Sequence, residues 1–284
     1  MDTLNNIKPT YTLNCKGELL VLNRPKIMGI LNTTPDSFFD GGKNHSPKSA
    51  IESGLQMIRD GAFILDIGGQ SSRPGAPSIS ANEEWSRVEP VIEGILKVHP
   101  QAFISIDTYR SEVARKAVDA GAVMVNDISA GSIDGNMFRT VAELQVPYIL
   151  MHMQGTPETM QENPEYEDVV AEVKSFFRDK LKELESHGIE DVVLDLGFGF
   201  GKTQEHNFEL LRRMGEFTTF EKPILAGVSR KSMIYKTLDS TPAEALNGTT
   251  ALNMISAVNG ACLLRVHDIA EAREVSILHN HICK

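Results

Sequence analysis

The chain has 284 residues, of which 41% are hydrophobic and 23% charged, proportions that are typical of a soluble globular protein. Its net charge of −10 argues against a general nucleic-acid binder, and no apolar run approaches the roughly 20 residues that span a bilayer. The segment MDTLNNIKPT lacks the features of a secretory signal, and the three widely spaced cysteines indicate reduced thiols, so we expect a cytoplasmic protein.

Residues 1–26 are predicted to form a small hairpin, with strands around Thr12–Asn14 and Leu19–Leu22. Residues 27–284 then repeat one unit, a short apolar strand followed by a helix. Eight such units follow one another without a break in composition. Their strands are predicted at Ile27–Leu31, Phe63–Ile67, Phe103–Ile106, Val123–Val125, Tyr148–Met151, Val192–Leu194, Ile224–Gly227 and Leu263–Val266.

Helix signals separate these strands. Ser46 is a predicted N-cap. Ser80 with Glu83, and Thr241 with Glu244, predict capping boxes that open helices to about Val98 and about Asn259. The count of units and the chain length favour a single closed (β/α)8 TIM barrel of the α/β class, spanning residues 1–284 as one domain with the hairpin at its base. An open, doubly wound sheet would more often carry GxGxxG after its first strand, where this chain has none.

Polar side chains follow almost every predicted strand. Because the carboxyl ends of barrel strands share one face, these residues should meet there. One or two polar residues would be helix caps, but a ring that mixes amides, carboxylates and cations predicts an active site. The ring consists of Asn32, the Ser72-Arg73 loop, Asp107, Asn126, His152, Asp195, Lys231, Arg265 and His267.

The ring divides by chemistry into three groups. The cations Arg73, Lys231, Arg265 and His267 suit an anionic or phosphorylated substrate, and Asn32 offers an oxygen to a Mg²⁺ ion that already carries phosphate. The side chains of Asp107, Asn126 and Asp195 suit a flat heterocycle with N–H donors.

Three smaller predictions complete this end of the barrel. The glycines of GFGFG (197–201) allow the backbone to approach a planar ligand, over which Phe198 and Phe200 are expected to close. Backbone N–H groups near Ser232 could receive a carboxylate. His152 is interpreted as a packed or loop-bonded histidine and is left out of the site.

At this point the sequence resembles the dihydropteroate synthase family. The matching stretches are GILNTTPDSFFDGG, DIGGQSSRPGA, SIDTYR, VNDISAG, LMHMQGTPETMQ, DLGFGFGK, GVSRKSMI and LLRVHD, which lie in order from residue 28 to 268. The resemblance implies a transferase of folate biosynthesis, a sulfonamide target that needs Mg²⁺ and forms a homodimer. Its reaction joins 4-aminobenzoate to a dihydropterin carrying a CH₂ diphosphate, with release of pyrophosphate and formation of 7,8-dihydropteroate.

The resemblance also implies a role for each matching residue. The pterin pocket would use Asp107, Asn126, Asp195, Phe200 and Lys231. The diphosphate would use Asn32, Arg73, Arg265 and His267, with Asn32 also contacting Mg²⁺. The aminobenzoate would contact Phe38, Ser72, Pro74 and Ser232, and the groups acting in catalysis would be Asp107, Lys231, Arg265 and His267.

The sequence departs from the usual family pattern at Gln70, Ser72 and Leu196, where the family more often has Glu, Thr and Pro. Gln70 removes a charge, whereas Ser72 keeps a hydroxyl and Leu196 changes only backbone stiffness.

Loops 33–43 and 70–78 are rich in Gly, Pro and polar residues, which predicts that they are mobile and that the pterin substrate binds before aminobenzoate.

Two other functions remain open from the sequence. A methyltetrahydrofolate–corrinoid methyltransferase also binds a pterin in a barrel, but it would not need the diphosphate residues. A non-catalytic pterin-binding paralogue would be expected to have lost Arg73, Lys231 or Arg265, and all three are present.

Overall fold

The computed structural model describes residues 10–34, 46–71, 78–157, 159–160 and 162–283. The chain begins with an antiparallel hairpin of β1 (Tyr11–Cys15) and β2 (Glu18–Leu22), as the sequence predicted. Lys16 and Gly17 make its turn with φ of 55° and 95°, and Gly17 N–H donates to Asn14 Oδ1 at 2.7 Å. The glycine permits the second of these left-handed conformations without a Cβ penalty.

Within the described residues, eight parallel strands form a closed barrel, in the order β10-β3-β4-β5-β6-β7-β8-β9. This result confirms the predicted (β/α)8 architecture and excludes the open sheet. Each strand is a short apolar run flanked by turn or loop residues, the pattern of a strand buried on both faces. The strands are β3 (Lys26–Asn32), β4 (Ile64–Gly68), β5 (Phe103–Asp107), β6 (Met124–Asp127), β7 (Tyr148–Met151), β8 (Val192–Asp195), β9 (Ile224–Ala226) and β10 (Ala261–Val266).

Helices follow the strands and form the outer layer. They are α1 (Pro47–Asp60), α2 (Ala81–Val98), α3 (Ser111–Asp119), α4 (Met137–Leu144), α5 (Val169–Ser186), α6 (Gln204–Arg212), α7 (Ser232–Tyr235), α8 (Leu246–Val258) and α9 (Ile269–Ile282). Ser46 and Ser80 accept hydrogen bonds from Ser49 and Glu83 N–H as N-caps. The Glu83 carboxylate accepts from Arg87, so Ser80 and Glu83 form an N-cap without the predicted capping box. Thr241 and Glu244 do form a capping box, but it opens a 3-10 turn (Pro242–Glu244), and α8 begins only at Leu246.

The hairpin closes the amino-terminal end of the barrel, which confirms the predicted place at its base. Asn14 N–H donates to Asp191 Oδ2 at 3.0 Å, immediately before β8 begins. Apolar side chains of the hairpin and of the lower barrel interior form one buried cluster, so the hairpin is part of the hydrophobic core. The cluster contains Leu13, Cys15, Leu20, Leu22, Met28, Ile64, Met124, Ile149, Val193, Leu225 and Leu263.

The barrel interior changes from apolar to polar along the strands. Side chains of a strand alternate between its two faces, so the residue two positions after an interior apolar residue also faces inward. Ile64 is followed in this way by Asp66, Met124 by Asn126, Val193 by Asp195 and Leu263 by Arg265. The upper barrel is thereby lined with polar groups on a rigid apolar base. No helix in the described part of the chain combines the length and apolarity needed to cross a membrane.

Candidate active site

Arg265 is the centre of a charge network inside the upper barrel. Its Nε donates to Asp66 Oδ2 and its Nη2 to Asp107 Oδ2, both at 2.6 Å. Asn126 Nδ2 donates to the same Asp66 oxygen at 2.8 Å. The planar guanidinium fork fixes two carboxylates relative to each other, because its donors have a rigid geometry.

Beside this network, two side-chain oxygens on the neighbouring strands β4 and β5 have no hydrogen-bond partner among the described residues. Asp66 Oδ1 and Ser105 Oγ are buried and make no hydrogen bond within the described part of the structure. Asp66 and Ser105 face each other in the register of β4 and β5. Because a buried polar atom without a partner is costly, these oxygens favour a polar ligand or water at this level of the barrel.

Burial raises the pKa of Asp107 to about 7, although the Arg265 guanidinium opposes this effect. The neighbouring Asp66 carboxylate acts in the same direction as burial. Removing a carboxylate from water disfavours its charged form, and like charges add to that effect. A raised carboxyl pKa of this kind is common among residues at functional sites.

Asp195 and Lys231 form the opposite side of the site. Asp195 Oδ1 accepts a hydrogen bond from Gly197 N–H at 2.8 Å, and burial raises the pKa of this carboxyl against the effect of Lys231. Lys231 Nζ donates to the Phe198 carbonyl and lies 4.7 Å from the centre of the Phe200 ring. Burial lowers the pKa of Lys231 to about 8.

The glycine-rich segment after β8 has a backbone that only glycine adopts without strain. Gly197, Gly199 and Gly201 have φ of 66°, 81° and 61°. A Cβ at Gly197 would lie 1.8 Å from the His152 carbonyl oxygen, and one at Gly201 would lie 2.5 Å from that of Gln154. These glycines therefore let the segment pack against the chain that follows β7.

The two phenylalanines of this segment have different environments. Phe200 lies beneath the Lys231 ammonium, where an aromatic face stabilises a cation. The prediction that Phe198 closes over a ligand is wrong, because its side chain is fully buried in the core outside the barrel. Leu196, which departs from the family pattern, is buried in the same core.

His267 follows β10 and is held by Ser229. The Ser229 hydroxyl lies 3.0 Å from His267 Nδ1 and accepts a hydrogen bond from His267 N–H at 3.2 Å. Arg230, which lies between Ser229 and Lys231, has φ of 53°. Its side chain donates to both Asp268 carboxylate oxygens, at 2.8 and 2.5 Å. Ser232 begins the four-residue helix α7, with Lys231 as its N-cap.

The residues near Asn32 could hold the predicted Mg²⁺ only together with a diphosphate that supplies most of its ligands. The described residues contain no group of three His, Cys, Asp or Glu side chains that could hold a metal alone. Mg²⁺ in phosphate sites needs only one or two protein oxygens, because phosphate and water supply the rest. Asn32 ends β3 with its side chain inward, by alternation from Met28, and can supply one such amide oxygen.

Four predicted site residues, Phe38, Ser72, Arg73 and Pro74, lie outside the described residues, as do most of the two loops that were expected to be mobile.

Gln70 lies at the edge of the second loop. Its Nε2 donates to the Ser71 carbonyl and its Oε1 accepts from Ile79 N–H, both at 3.0 Å. The bond to Ile79 ties the two ends of this loop together, and a glutamate could make it as well, whereas only the amide can also donate to Ser71.

The structure brings the described site residues to one end of the barrel and adds two that sequence reasoning missed. Asp66 is only 1% exposed and connects Arg265 to Asn126. Lys202, at the end of DLGFGFGK, is 3% exposed. A charged residue within an apolar strand, or directly after a glycine-rich turn, was the available signal. His152 is buried and bonded to Lys202, as its exclusion from the site anticipated.

Comparison with known proteins agrees with this geometry. A family model described as pterin binding enzyme matches residues 28–267. The dihydropteroate synthase of Escherichia coli K12 is 47% identical over 264 residues, which covers 92% of this chain and 93% of that protein.

Two solved structures show the same fold over nearly the whole chain. The Yersinia pestis dihydropteroate synthase, crystallised with a sulfonamide drug complex, is 39% identical with a TM-score of 0.91, covering 95% of this chain and 98% of that one. The Xanthomonas albilineans enzyme with 4-aminobenzoic acid is 40% identical with a TM-score of 0.89, covering 96% and 98%. The chain therefore belongs to the dihydropteroate synthase family of pterin-binding enzymes.

Proposed function

We propose that the upper barrel joins 4-aminobenzoate to a dihydropterin carrying a methylene diphosphate, with release of pyrophosphate and formation of 7,8-dihydropteroate. As a member of its family the chain is a transferase of folate synthesis. The observation that carries the proposal is the network in which Arg265 connects Asp66, Asp107 and Asn126 across the barrel from Asp195 and Lys231. The X. albilineans relative crystallised with 4-aminobenzoic acid supports that acid as the second substrate.

The pterin is held by groups that match its hydrogen-bonding edge. Carboxylates at Asp107 and Asp195 accept from ring and amino N–H groups, and the Asn126 amide can donate or accept. Lys231 donates towards a ring heteroatom, and Phe200 supports it from below. The buried acceptors of Asp66 and Ser105, which have no partner among the described residues, favour a polar ligand beside this edge.

The reaction needs stabilisation of charge, and we assign no covalent role to a side chain. Departure of the diphosphate leaves a methylene cation conjugated with the pterin ring, and the carboxylates of Asp107 and Asp195 stabilise that positive charge. Arg265 and His267 stabilise the departing diphosphate. Bound at the diphosphate through Asn32, Mg²⁺ would supply further neutralisation of its negative charge. The weakly basic aniline nitrogen attacks the methylene carbon without first losing a proton, and the resulting ammonium then releases one proton to give the secondary amine of the product.

The remaining aminobenzoate and diphosphate contacts stay predictions. Phe38, Ser72 and Pro74 are proposed to contact the aminobenzoate ring, and Arg73 the diphosphate, from loops outside the described residues. Ser232 is proposed at the aminobenzoate carboxylate because it opens α7 directly after Lys231.

Pyrophosphate release is the decisive measurement. The protein is incubated with the pterin diphosphate, 4-aminobenzoate and Mg²⁺, and each component is omitted in turn. Release that requires all three supports the proposal. A corrinoid methyltransferase would release none and would instead transfer a methyl group, whereas a non-catalytic paralogue would bind the pterin without turnover.

We also infer a homodimer that works in the cytoplasm. On α8, Ile255 and Val258 are exposed and three residues apart, and on α9, Leu278 and Ile282 are exposed and four apart. Such spacings place each pair on one helix face. Because α8 and α9 pack against each other, the two stripes provide an apolar surface suited to a second copy.

The free cysteines among the described residues agree with a reducing compartment.

A further inference from the structure

Lys202 is a buried charged residue to which the proposed reaction assigns no role. Its Nζ lies 2.9 Å from His152 Nδ1, 2.9 Å from the Gly197 carbonyl oxygen and 3.0 Å from the Phe200 carbonyl oxygen. A fourth contact, to the His152 carbonyl oxygen, is longer at 3.3 Å. Lys202 therefore connects the end of β7 to both ends of the glycine-rich segment Gly197–Gly201.

The contacts identify Lys202 as a hydrogen-bond donor to the segment. The Gly197 and Phe200 carbonyl oxygens can only accept, so Lys202 Nζ donates to both, and His152 Nδ1 is its third close partner. Burial lowers the pKa of Lys202 well below its usual range, an effect that Lys231 increases and the Asp195 carboxylate opposes. Burial and Lys202 together lower the pKa of His152 well below its usual range. The histidine is thus neutral, and its Nδ1 shares one hydrogen bond with Lys202 Nζ.

The segment that Lys202 holds needs external ties to keep one conformation. Its three glycines restrict the backbone little, and each has positive φ. Tyr166 OH donates to the Gly201 carbonyl at 2.8 Å, and Gly199 N–H donates to Asn207 Oδ1 at 2.7 Å. Lys202 adds two carbonyls of the same segment, so a single side chain fixes its first and fourth residues together.

The opposite side of the segment faces the proposed pterin pocket. Lys231 donates to the Phe198 carbonyl and lies over the Phe200 ring, and Asp195 accepts from Gly197 N–H. The segment is therefore held between two lysines, of which Lys202 is buried behind it and Lys231 lies in the pocket. A shift of the segment would move the groups that place both Lys231 and Asp195.

We propose that Lys202, supported by His152, is a positioning residue of the pterin pocket, which holds the Gly197–Gly201 segment so that Lys231 and Asp195 meet the pterin. This proposal rests on the proposed function, because the pocket's ligand is the pterin. Lys202 touches no substrate in this arrangement and acts through the backbone. The His152 ring is fixed in turn by edge packing against Phe176, with ring centres 4.9 Å apart.

The test compares Lys202→Met with a matched control, Lys222→Met. Lys222 Nζ also donates to a backbone carbonyl, that of Glu190 at 2.8 Å, but it lies at the amino end of the barrel and is only half-buried. Calorimetry measures binding of 6-hydroxymethylpterin and, separately, of pyrophosphate with Mg²⁺. We expect Lys202→Met to weaken pterin binding by about tenfold or more, since small displacements of positioning groups have effects of that size. Pyrophosphate binding and the Lys222→Met protein should remain like wild type.

A second pair of variants tests the His152–Lys202 hydrogen bond and remains informative if Lys202→Met does not fold. His152→Asn retains a hydrogen-bonding group near the position of Nδ1, whereas His152→Leu removes it. We expect His152→Asn to bind the pterin more tightly than His152→Leu, a rescue that general loosening of the fold would not give. Equal pterin affinities in this pair, or an equal loss for pterin and pyrophosphate in Lys202→Met, would overturn the positioning role. Failure of the wild type to bind any pterin would instead refute the proposed function.

Discussion

Asp195 illustrates how one buried side chain combines structural and binding roles. One of its oxygens accepts Gly197 N–H, and its environment balances burial against the nearby cations. Asp195→Asn can keep the backbone contact but places a donor where the pterin needs an acceptor. We expect pterin affinity to fall by about 2–3 kcal/mol, the cost of a mismatched buried group, with the fold intact.

Calorimetry with 6-hydroxymethylpterin checks this value, and Asp191→Asn is the matched control. Asp191 precedes the same strand at the opposite end of the barrel, where it accepts Asn14 N–H from the hairpin. Pterin affinity that is unchanged in a folded Asp195→Asn protein would remove Asp195 from the pocket.

The pH dependence of kcat/KM should reflect Asp107 and Lys231. Asp107 loses its carboxylate charge as the pH falls through about 7, and Lys231 loses its ammonium charge as the pH rises through about 8. Because the proposed chemistry needs both charges, kcat/KM should be highest between these values and fall on either side. Initial rates measured across this range at subsaturating pterin diphosphate test the prediction.

Lys231→Arg assigns the alkaline decline. A guanidinium stays charged throughout this range, so the variant should lose that decline even though its maximal rate is lower. A decline at the same pH in Lys231→Arg and wild type would mean that another group titrates there.

The polar strand ends were predictable from the sequence, but Asp66 was not among them. The prediction took the polar residue that follows each apolar run, which found Asp107, Asn126 and Asp195, together with Arg265 one residue before the end of its strand. Asp66 lies inside its strand, with two further residues of β4 after it. It joins the site because Arg265 reaches across the interior to it, and such a contact depends on the closed barrel rather than on local pattern.

At the scale of elements, the N-terminal hairpin should contribute to stability and not to catalysis. Leu20 is fully buried in the cluster under the barrel, whereas its neighbour Leu19 is 65% exposed. We expect Leu20→Ala to lower the free energy of unfolding by about 2–5 kcal/mol, because it removes buried methyl groups and leaves a cavity. Leu19→Ala should change it by no more than about 0.5 kcal/mol.

Urea unfolding followed by circular dichroism measures both variants. Activity per folded molecule should be unchanged in each, since the site lies at the other end of the barrel. Similar losses of stability in the two variants would show that the hairpin does not seal the core.

The elements that were predicted best are those with the strongest local signals. Tyr148–Met151 is a continuous apolar run, and its predicted bounds are those observed. Around Thr241 the capping box is real, yet a 3-10 turn precedes α8. Phe198 was assigned to the ligand side, although its ring packs into the outer core. Neither the helix type nor the ring direction follows from local composition, because packing against the rest of the barrel decides both.

At the scale of the whole molecule, the apolar stripes on α8 and α9 should hold two copies together. Ile255→Asp or Leu278→Asp would place a carboxylate in an interface that excludes water, and an unpaired buried charge is strongly unfavourable. We expect light scattering to give the mass of a dimer for wild type and half that mass for these variants. Val98→Asp is the control, because Val98 is 64% exposed at the end of α2, away from both stripes. A monomeric wild type would refute the dimer, and dimers that survive both the Ile255→Asp and Leu278→Asp substitutions would place the interface elsewhere.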